Sequence, residues 1–234
     1  MPFALHRQLQ EHYAGPTGVC EARVAGFVVD ALRDGVVYEI QTQRLRSIRA
    51  KVAALIDEWP VVVVHPVAET TTFVYREGDP PTEVKRRTYS GRGTPLDIFV
   101  EAVSLAKLLA HPNLSIEIPI LSVEELRARR SELPERPRRR RKWHRKLSTW
   151  VTVDRRIVAI SRVIRLDTPA DGIALLPERL ANPFTTTMLA AAMGAPLRQA
   201  QAAAYTLAHA GALVKTRRTK EGFWYARCTM AEDT

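Results

Sequence analysis

Two carboxylates, Asp30 and Glu39, stand on apolar runs joined by Asp34-Gly35, and their spacing suits a pair of ligands for one cation. The runs cover 24–32 and 36–42. Asp-Gly between such runs predicts a tight hairpin, because its two central positions favour positive φ. A two-residue loop pairs Arg33 with Val36, which sets Asp30 opposite Glu39 and Val28 opposite Gln41. Side chains alternate with period two, so Asp30, Glu39 and Gln41 fall on one predicted face. Opposed Cβ atoms lie about 4.5–5.5 Å apart, and like charges at that spacing repel unless a cation sits between them. A divalent metal held by both carboxylates, with water in the remaining positions, is the simplest such cation. The competing reading makes Asp30 a strand-end turn former and Glu39 a solvent-face charge, with Tyr38 and Ile40 turned to the core. Gly26 in the first run marks a bulge or a close backbone approach.

The neighbouring elements are legible as patterns. Residues 3–13 read as a helix closed by Gly15-Pro16. Residues 41–59 read as another, with Leu45, Ile48, Val52, Leu55 and Ile56 at helical spacing and Pro60 as the stop. The β-branched run 61–64 predicts a strand buried on both faces. Residues 71–76 and 83–88 predict a second hairpin. The basic, Gly-containing stretch 85–93 reads as a loop that either holds phosphates through Arg86, Arg87 and Arg92 or is ordinary surface. A helix over 97–109 and a strand over 114–123 complete the series, with Pro119 marking an edge or a bulge.

The arrangement over residues 1–123 resembles the PD-(D/E)XK nuclease superfamily, whose motif is an Asp on one strand and Glu-x-Lys on the next. Asp30 and Glu39 fit the first two positions, and Glu21 or Glu11 fits the upstream Glu of many members. Gln41 stands where the family has Lys. Some members carry Glu-x-Gln, and in others the Lys comes from the following helix, where Lys51 is placed. Tyr38-Glu39-Ile40-Gln41-Thr42 also looks like an uncharacterised prokaryotic group of nuclease-like proteins with a C-terminal winged helix. The resemblance implies a restriction-endonuclease-like α/β fold, a mixed sheet flanked by helices. It also implies Mg²⁺ or Mn²⁺ on Asp30 and Glu39, with Gln41 or Lys51 orienting water or phosphate.

The formal charge of +10 is uneven. Residues 1–120 carry 13 Lys+Arg against 14 Asp+Glu, residues 121–150 carry 11 against 4, and residues 151–234 carry 11 against 7. The excess begins at a Pro- and Arg-rich stretch, 124–150, which reads as a linker. Arg138, Arg139, Arg140 and Arg141 stand consecutively in it and suit a polyanion such as DNA, or a solvated spacer. Residues 151–234 resemble a winged helix-turn-helix domain. The pattern predicts helices over 154–166, with Asp154 as N-cap, then 168–176, 184–193 and 197–210, followed by a hairpin of 212–216 with 223–227. In that resemblance 197–210 is the recognition helix, offering Arg198, Gln199, Gln201 and Thr206, and Arg217, Arg218 and Lys220 form a basic wing. The same helix is Ala-rich enough to form a protein interface instead.

The expected function is therefore a metal-dependent DNA endonuclease positioned by a winged helix. The alternatives are a non-catalytic DNA-binding regulator with a decayed nuclease domain, or an interaction subunit of a larger complex. Double-strand cutting implies a homodimer. Two cysteines, Cys20 and Cys228, form no zinc or disulfide pattern and suit a reducing cytoplasm. No apolar run reaches membrane-span length, and the N-terminus lacks a signal-peptide layout. The histidines, His6, His12, His65 and His111 among them, make no metal-ligand spacing and read as structural.

Overall fold

A computed structural model describes residues 4–42, 44–91, 93–133, 148–220 and 222–228. The chain begins with helix α1 (Ala4–Ala14) and three antiparallel strands, β1 (Val19–Val24), β2 (Phe27–Arg33) and β3 (Val36–Ile40). The Asp34-Gly35 turn has φ of 51° and 79°, and Arg33 pairs with Val36 as its chemistry predicts. The run 24–32 is not one strand. Ala25 and Gly26 take φ of 46° and 82° and fold it into a second tight turn, so Gly26 is a hairpin corner rather than a bulge. Gly supplies that geometry cheaply; Ala25 holds its positive φ against its own Cβ.

A 3₁₀ turn (Leu45–Ile48) and helix α2 (Arg49–Leu55) follow, shorter than the 41–59 pattern. Strand β4 (Val61–Val64) then lies parallel to β3. Its Val61 and Val63 join the core under α2, while Val62 and Val64 join the core under α1, which is why all four positions are apolar. Strands β5 (Val67–Glu77) and β6 (Thr82–Ser90) form the expected hairpin. Residues 85–90 therefore belong to a strand, not to a phosphate loop, and Arg92 lies outside the described residues. The helical stretch near 97–109 is a short α3 (Ile98–Ala102) between 3₁₀ turns.

The organising strand is β7 (Leu114–Arg129), which runs well past residue 123. One side of it pairs in parallel first with β4 and then with β5; the other side pairs antiparallel with β8 (Trp150–Leu166). Pro119 falls at the change of partner between Glu117↔Val64 and Ile120↔Val67, where its missing N–H costs no rung on that side. The result is an α/β fold, an eight-stranded mixed sheet flanked by helices. Residues 154–166 are strand, not helix. Their apolar spacing mimics a helix because β8 carries irregularities that insert extra residues. Ile157, Ile160 and Ile164 pair with Val123, Leu121 and Ile118, so steps of three and four in sequence become steps of two and three along β7. Asp154 does accept from a helix N-terminus, but it is that of α1, through Ala4 N at 2.9 Å. Of the supposed linker 124–150, residues 124–129 and 150 are sheet, and 134–147, with Arg138, Arg139, Arg140 and Arg141, lie outside the described residues.

The C-terminal part comprises α4 (Pro169–Ala174), β9 (Phe184–Thr185), α5 (Thr186–Met193), α6 (Leu197–His209), β10 (Leu213–Thr219) and β11 (Gly222–Arg227). Thr168 and Thr185 cap α4 and α5, and Gly194 ends α5 at φ 60°. The strands form a separate sheet in the order β10-β11-β9. This part does not stand apart from the first. Leu189, Ala200, Ala203, Ala204 and Leu207 belong to the same buried cluster as Val37, Val52 and Ile116. Thr206 Oγ1 donates to the Phe99 carbonyl at 3.3 Å, and Gln199 Nε2 donates to Asp97 Oδ1 at 2.8 Å.

Candidate functional site

The β2–β3 ladder pairs Arg33 to Val36, Leu32 to Val37 and Ala31 to Tyr38, and then the strands part. Asp30 fills the opening. Its Oδ2 accepts from the Ile40 backbone N–H at 2.8 Å, where a carbonyl would have continued the ladder. Its Oδ1 accepts from Gln10 Nε2 at 3.1 Å and lies 3.4 Å from His6 Nε2. His6 and Gln10 are four residues apart on α1, hence on one side of that helix. Burial would push the Asp30 carboxyl up, but hydrogen bonds from His6 and Ile40 hold it below the ordinary carboxylate range. The same contact raises His6.

Glu39 is 1% exposed. The Lys51 ammonium, from α2, lies against its Oε1 and also donates to the Val28 carbonyl. The contact is a buried ion pair, and Lys51 is the charge that answers Glu39 Oε1. Burial pushes the Glu39 carboxyl up, and Lys51 opposes that without reversing it.

The two carboxylates are neighbours, but they do not share a face as strict alternation predicts. Asp30 takes its side-chain partners from α1, and Glu39 takes its partner from α2, on the opposite side of the sheet. The cause is a break in strand parity. Glu21, at the β1 position across from Asp30, has φ 53°, and the β1–β2 ladder skips that rung. Val29 consequently joins the α2-side core although Ala31, two residues on, joins the α1 side. Glu21 itself is exposed. Gln41 is half-buried; its N–H bonds the Val64 carbonyl and its own carbonyl lies 2.8 Å from His65 Nδ1. The structure thus gathers Asp30, Glu39 and Lys51, leaves Glu21 at the rim, and adds His6 and Gln10. The i, i+4 pair His6/Gln10 on the helix preceding an acidic hairpin was the available signal for them.

The other expected site residues separate into groups. Gln199 and Thr206 turn inward against α3 and cannot read a ligand from that position. Arg198, Gln201 and Tyr205 lie on the exposed side of α6. On the β10–β11 hairpin, Arg217 lies 4.3 Å over the Trp224 ring and Arg218 5.3 Å over Phe223, with Lys220 exposed at the turn. Arg86 bonds Glu83 and Glu124, and Arg87 is exposed on β6.

A family model described as "Domain of unknown function (DUF8091)" matches residues 3–167, more than half of the chain. The chain belongs to this family. The DUF8091 region ends one residue beyond β8, so the strand that closes the sheet falls inside it and the C-terminal helices and hairpin fall outside. An "Uncharacterized protein" of Treponema pallidum (strain Nichols) is 27% identical over 124 residues, covering 53% of this chain and 49% of that protein. The chain thus spans about half the length of that relative. No solved structure matches it. No helix among the described residues is long and apolar enough to cross a membrane.

Proposed function

We propose that this DUF8091 protein is a metal-dependent deoxyribonuclease whose active centre is Asp30, Glu39 and Lys51. The observation that carries the reading is the Lys51 ammonium, delivered by the helix after β3 onto the Glu39 carboxylate beside Asp30. This is the lysine that the Glu-x-Gln sequence lacks, supplied from one element later.

The donor chemistry is that of a hard divalent cation, although the two carboxylates take their side-chain partners from opposite sides of the sheet. Asp30 is kept ionised, and Glu39 is a buried carboxylate paired with Lys51. Among the described residues no three His, Cys, Asp or Glu side chains are grouped for a metal, so the remaining positions fall to water and backbone oxygen. A bound Mg²⁺ or Mn²⁺ would supply a water of lowered pKa and neutralise charge on the scissile phosphate. Asp30 and Glu39 are the groups that would hold it. His6 and Gln10 fix the Asp30 carboxylate, and Lys51 offsets the repulsion between the two acids and presents a point charge toward phosphate.

Incubating the protein with duplex, nicked, branched and single-stranded DNA in Mg²⁺ or Mn²⁺ tests the reading. Asp30→Ala and Glu39→Ala are each expected to reduce cleavage to the protein-free level while DNA affinity changes little. Full activity in either variant removes this mechanism. A second reading, a non-catalytic DNA-binding regulator, is favoured by the internal satisfaction of both carboxylates; wild-type protein that binds DNA but never cuts it selects that reading.

The C-terminal part supports a winged-helix assignment through its order, α5, α6 and a basic two-stranded hairpin, with Arg198 and Gln201 outward. In this reading Arg217, Arg218 and Lys220 contact DNA phosphates, and the protein acts in a prokaryotic cytoplasm, as a homodimer when both strands are cut. Arg217→Gln with Arg218→Gln is expected to flatten the log–log salt dependence of duplex binding by about 1.8, two phosphate contacts at about 0.9 each. An unchanged slope makes the hairpin a protein contact.

A further inference from the structure

Beyond the end of β4 the sheet continues as a four-stranded arm, β6-β5-β7-β8. On the α1 side, the apolar row of Leu121, Val123, Ile157 and Ile160 ends the core. The next rows across the arm read Arg87–Phe73–Glu125–Arg155 and Lys85–Tyr75–Arg127–Thr152. Apolar burial gives way there to rings alternating with cations. Arg127 stacks 3.8 Å over the Phe73 ring, and Tyr89, 46% exposed, lies 5.5 Å from the same ring. Tyr75 meets Trp150 edge-on at 4.9 Å.

The cations on this face are held unequally. Glu125 is buried and accepts from Arg127, Arg155 and Thr152. Lys85 lies 5.7 Å over Tyr75, and Arg87 is exposed on the same strand as Tyr89, two residues away; among the described residues neither cation is ion-paired. The opposite face differs. Its Thr70–Ser122 and Thr72–Thr88 hydroxyls pair with one another, and Arg86 and Arg156 are matched by Glu83 and Glu124.

We infer that the α1-side face of this arm binds single-stranded DNA, with phosphates along Lys85 and Arg87 and bases stacked against Tyr89 and the Arg127–Phe73 pair. A flat sheet bearing rings and planar guanidinium groups offers stacking surface to any unpaired base, whereas a duplex hides its base faces. The positive charge of Lys85 and Arg87 complements the backbone. The inference does not rest on the nuclease reading, because binding here uses neither Asp30 nor Glu39.

The test is fluorescence anisotropy with a labelled oligo(dT) 20-mer in EDTA, titrated over salt, beside oligo(rU) and a duplex of the same length. Wild type is expected to bind oligo(dT) more tightly than oligo(rU), and the variants below are expected to lose more affinity for oligo(dT) than for the duplex. Tyr89→Ala is expected to weaken binding at least fivefold, about the loss of one stacked base, while Tyr89→Phe stays near wild type. Lys85→Gln with Arg87→Gln is expected to flatten the salt slope by about 1.4, two contacts at about 0.7 each on a single strand. Tyr89 is exposed, so its replacement leaves folding intact, which circular dichroism checks. Failure of wild type to bind oligo(dT), tighter binding of oligo(rU), equal losses on oligo(dT) and duplex, or wild-type behaviour of both variants overturns the inference. Loss of cleavage with oligo(dT) binding intact concerns the catalytic centre alone.

Discussion

Replacing Lys51 with methionine is expected to destabilise the protein by about 3 kcal/mol at neutral pH, and adding Glu39→Gln is expected to return most of that loss. Removing one partner of a buried pair leaves an uncompensated charge, which costs about 3–5 kcal/mol. The low end applies because the Lys51 side chain is 20% exposed while that of Glu39 is 2% exposed. The pH dependence has a definite sign. The Glu39 carboxyl is raised in the folded chain, so the folded state binds the extra proton. Stability therefore falls as pH rises from the ordinary carboxylate value through the raised folded one. Without Lys51 the folded value climbs further and the window widens, so the deficit is smaller near pH 5 than near pH 8. Chemical denaturation at both pH values measures it. Arg49→Met, on the exposed side of the same helix, is the control and should stay within about 0.5 kcal/mol of wild type. Equal, small effects from both substitutions would mean that the ion pair is screened by solvent and that Lys51 is one surface cation among several.

Leu207→Asp is expected to cost more than about 4 kcal/mol and to lower the unfolding of the whole chain, not of its C-terminal part alone. Leu207 is 2% exposed and lines a small apolar space with Ile98, Ile116 and Ala210, so a carboxylate there has neither water nor a partner. Leu207→Ala should lose a graded share, about 2–5 kcal/mol. Because one buried cluster runs from Val37 through Ile116 to Ala204, the two parts share their stability. A single calorimetric transition that shifts as a unit is the expected record. Two transitions, with only the weaker one moved, would mean that α6 docks on α3 without coupling the folds.

Local chemistry was written plainly in the sequence. Asp34-Gly35 set the β2–β3 turn and its register, because few dipeptides tolerate two positive φ values. The apolar run 61–64 marked a strand with core on both sides. Thr185, Gly194 and Pro196 bounded α5 and α6, because capping and breaking act within a turn of the backbone. Lys51 could be placed near the acids by helical spacing from Ile48 and Leu55.

Tertiary structure decided what depends on partners distant in sequence. Residues 150–166 carry apolar spacing that serves a bulged strand as well as a helix, and only the long open side of β7 selects the strand. Counting rungs put Asp30 and Glu39 on one face; the skipped rung at Glu21 turned Asp30 toward α1 and brought His6 and Gln10 to it. Gln199 and Thr206 looked like reading residues until Asp97 and the Phe99 carbonyl took them. Periodicity assigns a side chain to a face, but which face meets which element is settled by pairing energies summed over the whole sheet, and these are invisible within any short window of sequence.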